Sequence, residues 1–552
     1  MEKIPVISKI VNSMEKVFPE TEPANEEYAS SMLKNERLNF QLVYKNESEG
    51  GSKCNTVEVL GDLAPYITLR AIELMPATML PTKYTDDYYL KTTVGLYPEL
   101  LRPFDALGVV LPSNQWRSVW VSLYNEDGLP AGTYETQFVL RDEDGEELSV
   151  MQYTVEIIDV AAEKSDLKLT NWMHYDCIAN YHHVEPFTDE FYTVFENYVK
   201  AYVDCGFNML LTPLFTPPLD TKIGGERKTS QLVGVKQLAD GGYQFDFEPL
   251  KKFIRFVMAR GVEYIEFSHL FTQWGGKCCP KIMADVNGEE KRIFGWDVAS
   301  DDERYVRFLQ SFLPALMDVV NEMNIQDVCR FHLTDEPHDE HLEHYEKCYK
   351  LVKQFIGNVP TMDAMSHYSY FERGAVDIPV PVTNTFQQFQ GKGIKELYFY
   401  YCCGPTNMYF SNRFLNMPSQ RTRVLGYQLY ETGVQGFLHW GFNFYNSQHS
   451  VTVIDPYRTT SAGDLFPAGD SFIVYPTQDG KVLMSIRAEI TKEGFQDYNA
   501  LKTLEKYVGR ETVVDILHEA GITGLITYPR NIKQHAALKQ KINQFIKQYA
   551  GV

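Results

Sequence analysis

From Leu167 onward the chain changes texture, and that change narrows the folds open to it. Short apolar runs of strand length alternate with longer stretches whose apolar residues recur at helical spacing. Such alternation builds βα units around a parallel sheet. The strand-like runs are 167–172, 208–213, 262–267, 328–333, 359–362, 376–382, 396–401 and 436–440. Helical stretches at 191–203, 253–259, 305–323, 341–356 and 425–432 fall between them. Eight such units, ending near residue 446, predict a (β/α)8 barrel of TIM type.

The first 160 residues read differently. Runs at 38–44, 117–123, 134–140 and 150–158 have strand length, and the third alternates apolar and polar side chains cleanly. Turn chemistry separates them at Glu49-Gly50-Gly51-Ser52, Glu126-Asp127-Gly128 and Asp142-Glu143-Asp144-Gly145. This predicts a β-sandwich over 1–160, joined through Ala161-Ala162-Glu163-Lys164-Ser165 to a catalytic barrel over 166–485. Residues 486–552 read as mostly helical, with amphipathic stretches at 498–507 and 535–549, and are expected to pack on the barrel. A chain of 552 residues is long enough for this multidomain arrangement.

Charge excludes some partners. With 52 basic and 73 acidic side chains the net charge is −21, which repels phosphate backbones and anionic membrane surfaces. No apolar run approaches the ~20 residues that span a bilayer. Met1-Glu2-Lys3-Ile4-Pro5 lacks the apolar core of a secretory signal, so a cytoplasmic location is expected. The 9 cysteines are scattered, with pairs at Cys278-Cys279 and Cys402-Cys403 that lack metal-knuckle spacing, and read as reduced thiols. Nothing in the sequence fixes an oligomeric state.

The fourth strand-like run ends in Phe331-His332-Leu333-Thr334-Asp335-Glu336-Pro337. Two adjacent carboxylates at the end of an apolar run repel each other, which is a poor arrangement for stability. At the C-terminal end of a barrel strand they stand where catalytic groups sit. Two carboxyls whose pKa values are pushed apart are the acid/base equipment of glycoside hydrolysis. The alternative is that Asp335 caps a following helix and Glu336 occupies its first turn.

The other predicted strand ends carry Trp172, His174, Asn208, His269, Gln387, Tyr400, Trp440 and Asn443. Rings, amides and imidazoles beside a carboxylate pair suit a sugar, which offers apolar faces and many hydroxyls. The 13% aromatic content is compatible with stacking, although most rings belong to a core. His332, Asp335, Glu336, His338, His341 and His344 cluster in sequence, but without the His-Glu-x-x-His pattern, and His341 and His344 read as an exposed helix face. No metal and no other cofactor is expected.

Asp335-Glu336-Pro337 on a barrel strand resembles glycoside hydrolase family 123 and the wider set sharing its DUF4091 region. Further blocks carry the resemblance: Tyr400-Tyr401-Cys402-Cys403-Gly404-Pro405, Gly436-Phe437-Leu438-His439-Trp440-Gly441-Phe442-Asn443 and Gly469-Asp470-Ser471-Phe472-Ile473-Val474-Tyr475-Pro476. Ser485-Ile486-Arg487-Ala488-Glu489 and Gly494-Phe495-Gln496-Asp497-Tyr498 complete it.

The resemblance implies a β-N-acetylgalactosaminidase acting on a glycan or small glycoside with retention of configuration. The substrate's own 2-acetamido oxygen is then the nucleophile, through an oxazolinium-like intermediate. Asp335 matches the residue that holds and polarises the acetamide, and Glu336 the acid/base. Trp440 is expected to wall the sugar; Trp172, His174, His269, Gln387, Tyr400 and Asn443 are further substrate-binding candidates. The alternatives are a glycosidase of the same fold acting on another β-hexosaminide or a non-acetamido sugar, and a non-hydrolytic glycan-binding protein.

Overall fold

A computed structural model describes residues 5–50, 54–81, 86–104 and 108–552. Met1 to Ile4 and the Gly51-Ser52 half of the first expected turn lie outside the described residues. The contacts divide the chain into two compact units: 1–166 with 406–433 and 483–552, and 167–405 with 434–482.

The first unit is strand-rich at its N-terminal end. One five-stranded antiparallel sheet runs in the order Val6–Asn12, Leu38–Asn46, Trp116–Leu123, Ile67–Ala77, Gly95–Pro103. A second runs Ala29–Leu33, Glu147–Ile158, Gly132–Arg141, Cys54–Leu60, Val109–Val110. Period-two patterning decides which side chains turn inward. Along Gly132–Arg141, Phe138 and Leu140 are buried while Glu135 and Gln137 are exposed. Both sheets feed one apolar core that includes Phe40, Leu42, Val119, Val121, Phe138 and Tyr153. The Phe40 and Tyr153 rings stack at 4.0 Å.

Residues 486–552 are helical as expected, but the contacts group them with these strands, so the chain does not divide into three consecutive stretches. The reason is a buried seam. Arg487 donates to Glu99 on strand Gly95–Pro103, and Ile486 and Ile490 pack with Met14, Ile72, Leu101 and Trp120. Helix Ile486–Val508 starts where the Ser485 hydroxyl accepts the N–H of Ala488 at 3.1 Å. It crosses helix Leu425–Thr432 at backbone contact: a β-carbon on Gly426 falls 1.7 Å from the Gly494 carbonyl oxygen. Beside that crossing, buried Arg423 donates to Asp497 at 2.7 and 3.0 Å and to Glu493 at 2.6 Å.

The second unit contains the strand–helix repeats. Its strands are β1 Lys168–Asn171, β2 Met209–Thr212, β3 Tyr264–Phe267, β4 Cys329–Phe331, β5 Met362–Met365, β6 Ile378–Pro381, β7 Tyr398–Tyr400 and β8 Gly436–His439. They form a six-stranded parallel sheet in the order β4-β3-β2-β1-β8-β7 and a two-stranded parallel sheet β5-β6. Single parallel bridges, Phe331–Thr361 and Val382–Tyr400, join the two sheets. Seven of the eight fall inside the stretches expected from sequence; β5 begins at Met362, where the expected strand ends.

Helices Asp189–Asp204, Glu248–Met258, Glu303–Glu322 and Leu342–Ile356 follow the first four strands. The first buries Phe191, Phe195, Tyr198, Val199 and Tyr202 at spacings of three and four, and Phe195 stacks on Phe253 of the next helix at 5.5 Å. Many of the chain's rings are thus helix-packing core. A four-stranded sheet, Tyr243–Asp246, Gly234–Gln237, Ile282–Val286, Glu289–Phe294, grows from the connections after β2 and β3. No strand is expected here from the sequence, because the two hairpins are short and few of their residues are buried. The described helices include none long and apolar enough to cross a membrane.

The Arg423 cluster yields a stability prediction. Arg423→Met strands Glu493 and Asp497 in the interior, where an unpaired charge costs about 3–5 kcal/mol. Thermal unfolding should show a clearly lowered midpoint, recovered in large part by adding Glu493→Gln and Asp497→Asn. An unchanged midpoint in the single variant would contradict the role given to this cluster.

Candidate active site

β4 delivers the carboxylate pair. Its side chains and those of His332, Leu333 and Thr334 are buried, so the chain is locked until it reaches Asp335. There it turns. Glu336 takes a left-handed backbone conformation, φ 45°, which a non-glycine residue holds only when its surroundings fix it. The fixing contacts come from the connection after β3 and from strand β5. The Trp274 N–H donates to the Asp335 carbonyl at 2.7 Å, and the Glu336 N–H donates to the Ala364 carbonyl at 3.1 Å. No α-helix begins at Asp335; the next helical turn is a single 3-10 turn, Asp339–His341, started by His338. The capping alternative for Asp335 is therefore not what the chain does.

A cavity of about 220 Å³ opens above the pair. Trp172, Ala364 and Leu438 line it together with Asp335 and Glu336. One wall is Tyr400, Cys402, Cys403, Trp440 and Phe466; the other is Leu219, Asp220, Gln273, Trp274, Gln448 and His449. The Tyr400 hydroxyl donates to Glu336 Oε1 at 2.5 Å. Trp440 is set by its indole N–H, which donates to Asp470 at 2.9 Å, and by Phe466, whose ring lies 5.2 Å away. The Gly469-Asp470-Ser471 turn thus acts on the site through Trp440.

The second wall is braced internally. Asp220 accepts the His449 N–H at 2.9 Å, Gln273 donates to the Thr221 carbonyl at 3.1 Å, and the Trp274 and His449 rings meet edge to face at 5.7 Å. Asp220, Trp274 and His449, like Glu336, have positive φ. Four strained non-glycine residues around one cavity indicate that its shape is held against local preference.

Electrostatics separate the two carboxyls. Burial and the neighbouring Glu336 carboxylate push Asp335 well above the usual carboxylate range, against an opposing pull from His332. The raised ionisation of the pair therefore falls on Asp335, beside a Glu336 that accepts the Tyr400 hydroxyl. Burial and the Glu336 charge also raise Tyr400, keeping it a donor.

Beneath the cavity lies a chain of buried polar groups. Trp172 donates its indole N–H to Glu266 at 2.7 Å, Thr170 donates to the same carboxylate at 2.6 Å, and His332 bridges Glu266 to Asp363. His269, His332 and Asp363 are the one group among the described residues with metal-ligand spacing, their donor atoms lying within 4.8 Å. The donor chemistry does not fit a cation. Both His332 nitrogens already bond carboxylates, and these raise the imidazole to about 9 against the cost of burial. At neutral pH the ring is protonated and offers no lone pair.

The candidates from sequence divide sharply. Trp172, Asp335, Glu336, Tyr400 and Trp440 share the cavity. His174, His269, Gln387 and Asn443 do not line it. His174 is a buried brace: Arg227 donates to its Nδ1 at 3.1 Å, so Nε2–H donates to the Trp440 carbonyl at 2.8 Å, and burial plus Arg227 lower its pKa to about 3. Asn443 pairs with the His174 backbone at 2.9 and 3.1 Å. His269 lies behind Trp172 with its ring stacked on His332 at 4.4 Å. Gln387 is exposed on the short turn Phe386–Gln388, and Asn208 precedes β2, bonding Leu167. His341 is buried and His344 half-buried, bonded to Ser300 and the Gly276 carbonyl, so neither is on an open helix face.

Sequence reasoning missed Asp220, Gln273, Trp274, Gln448, His449 and Phe466, which sit in connections without periodicity. It also missed Glu266 and Asp363, where a signal existed: each is a lone acid inside an apolar strand, Tyr264-Ile265-Glu266-Phe267 and Met362-Asp363-Ala364-Met365.

Comparison with known proteins identifies the family. The sequence profile described as "Glycoside hydrolase 123, catalytic domain" matches residues 172–504. A family 123 glycoside hydrolase from Clostridium perfringens, described in a study of glycolipid glycan hydrolysis, superposes with a TM-score of 0.77 over 99% of each chain at 15% identity. A β-glucuronidase from Bifidobacterium dentium aligns with a TM-score of 0.33 and 9% identity, covering 89% of this chain and 67% of its own. An endo-β-1,4-mannanase from Thermotoga petrophila gives 0.35 and 14%, covering 61% and 77%. No curated protein matches by sequence. The profile match spans more than half of the chain and includes the carboxylate pair, and the chain therefore belongs to glycoside hydrolase family 123 and is a glycoside hydrolase.

Proposed function

We propose that this enzyme releases terminal β-linked N-acetylgalactosamine with retention of configuration, the substrate's 2-acetamido oxygen serving as nucleophile. The observation that carries the reading is the arrangement of Asp335 and Glu336: adjacent, turned into one cavity, with Asp335 raised by burial and by its neighbour and Glu336 accepting the Tyr400 hydroxyl. The two parallel sheets are read as arcs of one (β/α)8 barrel, a reading supported by the single bridges at Phe331–Thr361 and Val382–Tyr400. The pair then stands at the strand ends where barrel enzymes place their chemistry. The cavity lies just below the usual run of ligand sites, roughly 300–1,000 Å³, and suits one sugar residue.

An acetamide N–H donated to Asp335 stabilises its carboxylate, so the proton of the pair passes to Glu336. The acetamide oxygen attacks C1 from the opposite face as the C1–O glycosidic bond breaks. Glu336 gives its proton to the leaving oxygen. Asp335 stabilises the positive charge that develops on the acetamide in a site screened from bulk water. In the second step water attacks C1, Glu336 takes its proton, and the C1–acetamide oxygen bond breaks to restore the acetamide. Trp440 and Phe466 offer apolar surface to the sugar or its acetyl methyl.

A second reading has a specific observation behind it. Asp220 is a third carboxyl on the cavity wall and adds to the charge felt by Asp335. If it were a nucleophile, no acetamido group would be required.

Three results are expected. Among aryl β-glycosides of N-acetylgalactosamine, N-acetylglucosamine and galactose, cleavage should be confined to the acetamido sugars, and Asp335→Asn should lower kcat by about 10²–10³. Turnover of the plain galactoside that survives Asp335→Asn but not Asp220→Asn would favour the second reading. Glu336→Gln should lose about 10²–10⁴ on substrates with basic leaving groups and far less on an activated dinitrophenyl glycoside; equal losses on both would remove Glu336 from the acid role.

The pH profile follows from one shared proton. Activity should fall as pH rises through the raised upper ionisation of the pair. In Asp335→Asn the repelling carboxylate is gone, so the basic limb of the residual activity should move to lower pH. A limb that stayed in place would contradict coupling between the two carboxyls.

A further inference from the structure

The polar chain beneath the cavity connects two things the reaction needs: the wall under the sugar and the turn that carries the carboxyls. At its upper end Glu266 on β3 accepts the indole N–H of Trp172, which lines the cavity, and the hydroxyl of Thr170. At its lower end Asp363 on β5 accepts the backbone N–H of Leu333 at 3.0 Å and the Tyr345 hydroxyl, and the residue after it, Ala364, accepts the N–H of Glu336. His332, three residues before Asp335, joins the two carboxylates through both ring nitrogens. Glu266, His332 and Asp363 are fully buried. Burying three charges is costly, and such groups are kept only where they are paired and serve more than packing.

We propose that Glu266, His332 and Asp363 are positioning residues: a buried carboxylate–imidazolium–carboxylate chain that fixes the turn from Leu333 to Glu336 and keeps a positive charge beneath Asp335, so that the Asp335 carboxylate forms when the acetamide arrives. This rests on the role given above to Asp335. None of the three lines the cavity, and each acts through another group: Glu266 through His332 and Trp172, His332 through its charge, Asp363 through the backbone of the turn.

The charge balance supports it. The groups facing His332 are Glu266 from β3, Asp363 from β5, His269 stacked on its ring and Asp335 further along its own chain. Tyr345 donates to Asp363 from helix Leu342–Ile356. His269 is driven well below the usual imidazole range by burial and by the charge on His332, so a single imidazolium stands in this stack. His332 pulls Asp335 toward ionisation, against burial, Glu336, Asp363 and Asp220. Among the charges acting on His332, Glu266 contributes most to keeping the proton on the ring.

The variant that reads this is Glu266→Gln. The amide oxygen still accepts from Trp172 and His332, but the charge is gone. His332, held near 9 in the parent, should then lose its proton within the neutral range. On whichever aryl glycoside the parent cleaves, kcat in Glu266→Gln should fall about tenfold per pH unit above that new ionisation, a limb the parent lacks at neutral pH. KM should change little, since the cavity wall is retained. Unfolding reads the same proton without turnover. His332 is raised in the folded state, so its contribution to stability is full below about pH 6.5 and is lost as pH rises through about 9 in the parent. In Glu266→Gln that loss should begin at lower pH. Asp363→Asn, which keeps an acceptor for the Leu333 N–H, should share the displaced pH profile.

A pH profile in Glu266→Gln parallel to that of the parent, whatever its absolute rate, would overturn the proposal and leave the chain as packing only. Failure of the acetamide reading would look different: the parent would cleave a plain galactoside, with the network variants still displacing the profile. Should Glu266→Gln fold poorly, Asp363→Asn supplies the same comparison.

Discussion

Two carboxyl groups on consecutive residues, turned into one cavity, repel each other unless they share a proton. At an effective dielectric of about 20, two unit charges roughly 5 Å apart are unfavourable by about 3 kcal/mol. The surroundings of Asp335 and Glu336 answer that repulsion. Burial and the Glu336 charge raise Asp335, Tyr400 donates to Glu336, and His332 opposes the rise. In the proposed mechanism one new hydrogen bond to Asp335, from the acetamide, redistributes the proton of the pair.

That step requires rigidity. Glu336 sits at φ 45° because Trp274 and Ala364 hold the backbone on either side, and Ala364 is itself placed by the strand that carries Asp363. Asp220, Trp274 and His449 repeat the pattern on one wall. The unit's large aromatic core, with stacks such as Phe195 on Phe253, supplies the stiffness that makes such strain affordable.

The sequence made the pair, Tyr400 and Trp440 legible because a regular alternation places strand ends, and chemistry at strand ends stands out. It misplaced His174 and Asn443 for the same reason: both follow strands, but their hydrogen-bonding groups turn to each other and to Arg227 rather than to the cavity. Asp220 and His449 were not legible because their positions depend on connections that brace one another across a long sequence separation. Glu266 and Asp363 were visible as acids in apolar strands, yet only the fold reveals that both point at one imidazole. The C-terminal helices were seen as helices, but their grouping with the N-terminal strands depends on contacts such as Arg487 to Glu99 that no local pattern encodes.

The claim that the substrate supplies its own nucleophile is tested most directly by varying that nucleophile. Aryl β-galactosaminides bearing acetyl, fluoroacetyl, difluoroacetyl and trifluoroacetyl groups on the 2-amino nitrogen differ chiefly in the basicity of the amide oxygen. If that oxygen attacks C1, log kcat should fall steeply along the series, by orders of magnitude from acetyl to trifluoroacetyl. A flat series would contradict the account and direct attention to an enzyme carboxylate, with Asp220 the first to examine.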